Sequence, residues 1–180
     1  MPLDKWQWSP SPLPGQVVLV TSRDSGGVVG IAPKSWLSVA AMTPLTIGFG
    51  CALSHQTARN VRDTGEFVVN VPGADLAETI WAMPEAADRW AGLTRLPGVA
   101  VEVPSVLECA AHLECVCDRI VEFHEGEVFI FGTVLRIAVV EQGLAGGDTA
   151  GRYAALGHPF FFLENGWCAP LGEPRRASHP

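Results

Sequence analysis

Apolar positions along the chain fall into short runs separated by turn residues, and most of those runs carry the two-residue period of strands. Val17–Thr21 is instead an uninterrupted apolar run; Asp24-Ser25-Gly26-Gly27 then supplies turn chemistry and Val28–Ile31 resumes, which predicts a β-hairpin. Pro44 opens a further strand over Leu45–Cys51, and Glu66–Val71, rich in β-branched and aromatic residues, predicts another. Two longer runs, Cys109–Phe123 and Glu127–Val140, meet at His124-Glu125-Gly126. In the first, Ala111, Leu113, Cys115 and Cys117 take one face and His112, Glu114 and Asp118 the other, the pattern of a half-buried strand. The second is apolar on both faces, so it is expected at the centre of a sheet or under an interface.

Helical patterns are short and isolated. Ser54 is placed to cap a helix reaching about Thr64, with Gly65 to end it. Asp75 followed by Glu78 predicts a capping box for Leu76–Met83, stopped by Pro84, with Leu76, Ile80 and Met83 forming a core stripe. Strands interrupted by single helices, with no regular βαβ rhythm, predict a mainly β fold with short helices, an antiparallel barrel with helical insertions. Residues 1–15 carry four prolines and read as an extended arm; 16–169 form the domain; 170–180 lack periodicity and read as a loose tail.

Composition narrows the function classes. Hydrophobic residues make up 48% of the chain against 17% charged, enough for a real core. A net charge of −7 without any basic stripe argues against binding nucleic acid. The apolar runs stop well short of the roughly 20 residues of a membrane span, and the first residues lack the apolar stretch of a signal peptide, so a cytoplasmic location is expected, away from membranes. The five cysteines are read as reduced thiols, with Cys115 and Cys117 as core residues rather than metal ligands, and no metal site is expected.

Two neighbouring segments carry candidate chemistry. Gly30–Val39 leaves a strand into small residues, hydroxyls and one large aromatic: Ala32, Pro33, Lys34, Ser35, Trp36 and Ser38. Backbone amides and hydroxyls there suit the edge of a planar heterocycle, with Trp36 as an apolar wall; the same residues equally suit a capped strand end with Trp36 in the core. Ser54-His55-Gln56-Thr57-Ala58-Arg59-Asn60 begins a helix. With Ser54 as the cap, the amides of His55, Gln56 and Thr57 point off the helix start into its positive dipole end, a site suited to phosphate; many helices begin with serine and bind nothing.

In order, these segments resemble the flavin reductase-like family of FMN-binding split barrels, in particular its flavoredoxin-like branch. The resemblance runs from Val17–Thr21 through Ala32–Trp36, Ser38 and Thr43-Pro44 to Thr57-Ala58-Arg59-Asn60-Val61. The most specific stretch is Thr64-Gly65-Glu66-Phe67-Val68-Val69-Asn70-Val71; Ala91–Thr94, Leu113–Cys115 and Gly132–Val134 follow. It implies an antiparallel split barrel, a homodimer with FMN near the interface, Ala32–Ser38 along the isoalloxazine, and Ser54, Thr57 and Asn60 around the phosphate and ribityl chain. Arg152, with Tyr153, resembles a further position close to the flavin, and suits a surface salt bridge equally well. The chain departs from its relatives at Gly30, where many have Asn, and at His55-Gln56-Thr57, where they have Lys-Asp-Thr. A lysine exchanged for an imidazole implies weaker, pH-sensitive FMN binding. The activity implied is transfer of a hydride from NADH or NADPH to FMN, and onward to a second flavin, a metal or a redox partner protein such as an oxygenase. A flavoredoxin-like electron carrier without NAD(P)H activity, and a flavin-free split-barrel binding or scaffold protein, are the alternatives. No catalytic side chain is singled out.

Overall fold

In the computed structural model, residues 15–83, 90, 92–123, 126–144, 147–162 and 168–172 are described. The arm up to residue 14, the stop at Pro84, Ala91, the His124-Glu125 turn and the tail beyond 172 lie outside them. β1 (Val18–Arg23) and β2 (Val29–Lys34) form the expected hairpin, with Ser22 opposite Gly30 and Val18 opposite Lys34. Asp24 closes it, its Oδ1 accepting from the Val28 amide at 2.8 Å. β3 (Leu37–Met42) and β4 (Leu45–Ala52) make a second hairpin; β3 lies where the sequence pattern shows only a strand exit. Helix α1 (Gln56–Thr64) ends at Gly65, whose φ of 74° is the left-handed geometry that a glycine cap adopts freely.

β5 (Glu66–Val71) leads to a 3-10 turn, Ala74–Leu76, and to α2 (Ala77–Trp81). The capping box is not formed: Gly73 precedes the turn, Asp75 lies inside it, and no side chain caps either segment. The stripe itself is as expected, since Leu76, Ile80 and Met83 pack into one cluster. Two short strands, β6 (Arg95–Leu96) and β7 (Ser105–Val106), pair with each other before the long strands β8 (Ala111–Glu122) and β9 (Glu127–Val139). Short helices α3 (Glu141–Leu144) and α4 (Thr149–Ala154) precede β10 (Phe160–Phe162) and β11 (Cys168–Pro170). Pro170 pairs with Phe160, so paired backbone reaches into the segment expected to be tail.

The main sheet has seven strands in the order β2-β1-β5-β8-β9-β4-β3, antiparallel throughout, the sheet of a split barrel. Its two faces explain the unbroken apolar run at β1. Val18 and Val20 join Phe49, Phe67, Cys115 and Ile130 inside the barrel, under Ala58 and Val61 of α1. Val17 and Leu19 face the opposite way into a second cluster with Ile31, Ile80, Trp90, Val106 and Phe160. Cys115 and Cys117 pack in and against the first cluster, as core thiols.

The polar face assigned to β8 is solvated at Asp118 but not at His112 and Glu114. His112 and Glu114 are buried, at 7% and 1% exposure, and the segment before β7 folds over Glu114. Glu114 Oε2 accepts from the amides of Val99, Ala100 and Val101 at 2.9, 2.5 and 3.2 Å, and its Oε1 accepts from Arg136 Nη1 at 2.7 Å. These bonds outweigh the burial penalty and hold the carboxyl below its ordinary pKa. Asn70 Oδ1 likewise accepts from the Val106 amide at 2.8 Å and lies 3.1 Å from His112 Nδ1.

Candidate functional site

Where α1 begins against the outer hairpin, a cleft of about 610 Å³ opens between Ser22–Lys34 on one side and Ser54–Asn60 on the other, with Trp90 at its rim. The cleft follows β2 from Val28 to Lys34, about 20 Å at the usual strand rise of about 3.3 Å per residue. Of the residues singled out from sequence, Ala32, Pro33, Lys34, Ser54, His55, Thr57 and Asn60 line it together. Ser35, Trp36 and Ser38 do not. Trp36 is 53% exposed and lies over Gly50, where an added Cβ would stand 2.8 Å from the indole, so it neither walls nor plugs the cleft. Ser38 turns its hydroxyl to the Val39 carbonyl. Arg152 sits exposed on α4 and does not line the cleft.

The helix start differs from expectation in one respect. His55, not Ser54, is the capping residue, and no side chain caps the helix. The His55 amide donates to the Ala52 carbonyl at 3.0 Å, which draws the chain into a turn before the helix and moves the first free donor one residue on. The amides left without a backbone partner among the described bonds are those of Gln56 and Thr57, one fewer than expected. The positive dipole end of α1 therefore faces the cleft through Gln56 and Thr57.

Charge gathers at the same end. Lys34 Nζ lies 3.5 Å from His55 Nδ1, so the ammonium of the β2 lysine stands beside the imidazole at the helix start. The cation absent from position 55 is thus supplied from another strand, a juxtaposition that the spacing of 21 residues does not announce. Arg59 is the third basic group, donating to the Ser54 carbonyl and, at 2.9 Å, to Gln56 Oε1. Asp24 is the acidic residue of the lining, at the hairpin end. Along the middle, Gly30, Ala32 and Pro33 keep the wall low and apolar. Trp90 is fixed by its indole N–H on the Val29 carbonyl at 3.2 Å, with Arg95 4.9 Å over its ring.

Gln56 and Arg59, within the helix-start segment read from sequence, also line the cleft, whereas Ser22, Asp24 and Trp90 were not marked. Ser22 was readable only through the hairpin register that sets it opposite Gly30. Trp90 reaches the cleft from a segment distant in the chain, and no local pattern betrays it.

The chain is thus a seven-stranded antiparallel split barrel with a long cleft, basic at a helix start and apolar along a strand. Residues 11–157 match the flavin reductase like domain, and the chain belongs to that family. An uncharacterized protein of Halalkalibacterium halodurans is 33% identical over 146 residues, 72% of this chain and 70% of its own. Among solved structures, nitrilotriacetate monooxygenase component B from Bacillus cereus superposes with a TM-score of 0.80 at 25% identity, covering 98% of both chains. Flavoredoxin of Desulfovibrio vulgaris (Miyazaki F) shares the fold at a TM-score of 0.79 and 19% identity, over 99% of this chain and 97% of that one. Among the described residues no helix is long and apolar enough to cross a membrane, and no group of His, Cys, Asp and Glu is arranged to hold a metal ion.

Proposed function

We propose that the protein binds FMN in this cleft and acts as an NAD(P)H-dependent flavin oxidoreductase that hands electrons to a second acceptor. The observation that carries the reading is the meeting of Lys34, His55 and the free amides of Gln56 and Thr57 at one end of an apolar strand-side groove. A phosphate at that end gains two basic groups and a helix dipole, while the low wall of Gly30, Ala32 and Pro33 leaves room for a flat ring along β2. The residues present therefore fit a flavin mononucleotide. Bound flavin supplies the redox chemistry. The chain's own work is to fix the phosphate through Lys34 and His55, to seat the ring against β2, and to leave the open side of the cleft to an electron donor.

Stopped-flow mixing of the FMN-loaded protein with NADH and with NADPH tests the activity. Rapid bleaching of the flavin band by either is expected; no bleaching by both leaves the electron-carrier alternative. A colourless protein whose melting temperature ignores added FMN would end the flavin reading altogether, since ligand at about 100 times its Kd stabilises by about 2.7 kcal/mol.

The same reading includes a homodimer. Val39 and Met42 on the edge strand β3 are 57% and 75% exposed, and Leu135 and Ile137 on β9 are 53% and 52% exposed, apolar side chains that a subunit interface would cover. Light scattering should give twice the chain mass, and Ile137→Glu should shift it to the monomer.

A further inference from the structure

One hydrogen-bonded ladder along the α1 wall is not used by the phosphate end. Arg59 Nη2 donates to Gln56 Oε1 at 2.9 Å, Gln56 Nε2 donates to Asn60 Oδ1 at 2.5 Å, and Asn60 Nδ2 donates to Ser22 Oγ at 3.1 Å. Its polarity is fixed from one end. A guanidinium has only donors, so Gln56 must turn its oxygen to Arg59 and its NH2 toward Asn60. Asn60 must then answer with its oxygen, which sends its own NH2 to Ser22. Asn60 and Ser22 are each 1% exposed, so this end is held inside the protein and cannot swing. Gln56 is exposed and lines the cleft.

The amide of Gln56 is therefore clamped at both ends. It has two N–H groups and spends one on Asn60; the second has no partner among the described residues. Across from it, Gly30 leaves the space open: a Cβ there would lie 3.9 Å from Gln56 Cγ and 3.5 Å from Asn60 Nδ2, so any longer side chain would cover the ladder. Gly30 is also four residues along β2 from Lys34, about 13 Å at the usual strand rise, so along this wall the open space lies apart from the Lys34 ammonium.

Resting on the FMN reading, we infer that Gln56 is a specificity-determining residue that donates its spare Nε2–H to an uncharged acceptor oxygen of the flavin, with Arg59 and Asn60 as positioning residues that fix the direction of that amide. The recognised group is a carbonyl or hydroxyl oxygen, not the phosphate, which goes to Lys34 and His55. The absence of a side chain at Gly30 is what lets the oxygen reach Gln56.

Riboflavin separates this subsite from the phosphate end, because it keeps every uncharged oxygen and lacks the phosphate. Riboflavin and FMN are titrated by fluorescence quenching into the full chain, into Gln56→Glu and into Gln56→Met. The glutamate keeps the shape and satisfies Arg59 but has no hydrogen to give; the methionine keeps the length without polarity or charge. Both variants take away the donor that Asn60 Oδ1 accepts from, so each should melt a few degrees lower while staying folded, and each should lose about tenfold in riboflavin affinity, with a similar or larger loss for FMN. Riboflavin bound by both variants as tightly as by the wild type overturns the subsite while leaving the FMN reading in place. Loss in the glutamate variant alone also overturns it, because added charge then explains the effect. A wild type that binds neither flavin overturns the FMN reading and the subsite together.

Discussion

The clearest handle on the site is Lys34→Met, which removes one charge while keeping side-chain length. Lys34 Nζ stands 3.5 Å from His55 Nδ1 at the mouth of α1, so a phosphate seated on the Gln56 and Thr57 amides, as proposed, would have the ammonium as a neighbour, taken at about 4 Å. Two unit charges about 4 Å apart interact by about 1 kcal/mol in bulk water and about 4 kcal/mol at the effective dielectric of a protein surface. Lys34 is half-buried, which sets the expectation between those limits, at about 2 kcal/mol. That corresponds to a loss of roughly 30-fold in FMN affinity. Riboflavin should lose less than about threefold, because its ring and polyol never meet the ammonium. Salt should move the wild type toward the variant, since the screening length falls from about 10 Å at 0.1 M to about 3 Å at 1 M. Fluorescence-quenching titrations of both flavins at the two salt concentrations, with melting curves as folding controls, measure all three quantities. Equal losses for FMN and riboflavin, or an FMN affinity untouched by the substitution, would refute the placement of the phosphate.

Three further outcomes follow from the packing. Glu114→Gln removes the buried charge that three loop amides and Arg136 satisfy, and should cost about 3 kcal/mol, at the low end for a broken buried pair because Arg136 is 40% exposed, or roughly 6–12 °C in a melting scan. Because the folded state holds this carboxyl below its ordinary value, the stabilisation is complete above the unfolded pKa of about 4.3 and fades as pH falls through the folded one. The gap between variant and wild type should therefore be widest near neutrality and close toward pH 3; a gap that does not narrow contradicts the assignment. Gly132→Ala would bring a Cβ within 2.4 Å of Phe67 Cζ, a ring fully buried and packed edge-on to Phe49, so a loss of about 1–3 kcal/mol by urea denaturation is expected. Gly65→Ala forces a left-handed φ on a side chain and should cost about 1–2 kcal/mol by the same measurement, with flavin affinity preserved.

Local chemistry accounts for the parts of this protein that could be read residue by residue. The Asp24–Gly27 turn and the flanking apolar runs produce the first hairpin because a tight turn and a two-residue period need no distant partner. Gly65 ends α1 for an equally local reason. The helix-start segment and Lys34 were legible as candidates because amides, hydroxyls and a cation announce themselves by type.

Tertiary structure decided what those candidates became. Whether a helix begins at Ser54 or His55 depends on the turn made by the Ala52 carbonyl, and whether Lys34 meets His55 depends on how α1 lies across β2. Trp36 and Trp90 exchange the roles that proximity in sequence suggests, the first turned to Gly50 and the second brought to the cleft through the other core. His112 and Glu114 alternate like solvated residues yet are buried: three consecutive amides from a loop about 14 residues away in sequence replace water at Glu114, and His112 turns its Nδ1 to Asn70 Oδ1. Periodicity records which side of a strand a residue takes. Only the completed packing supplies what covers that side, because the covering atoms come from elsewhere in the chain.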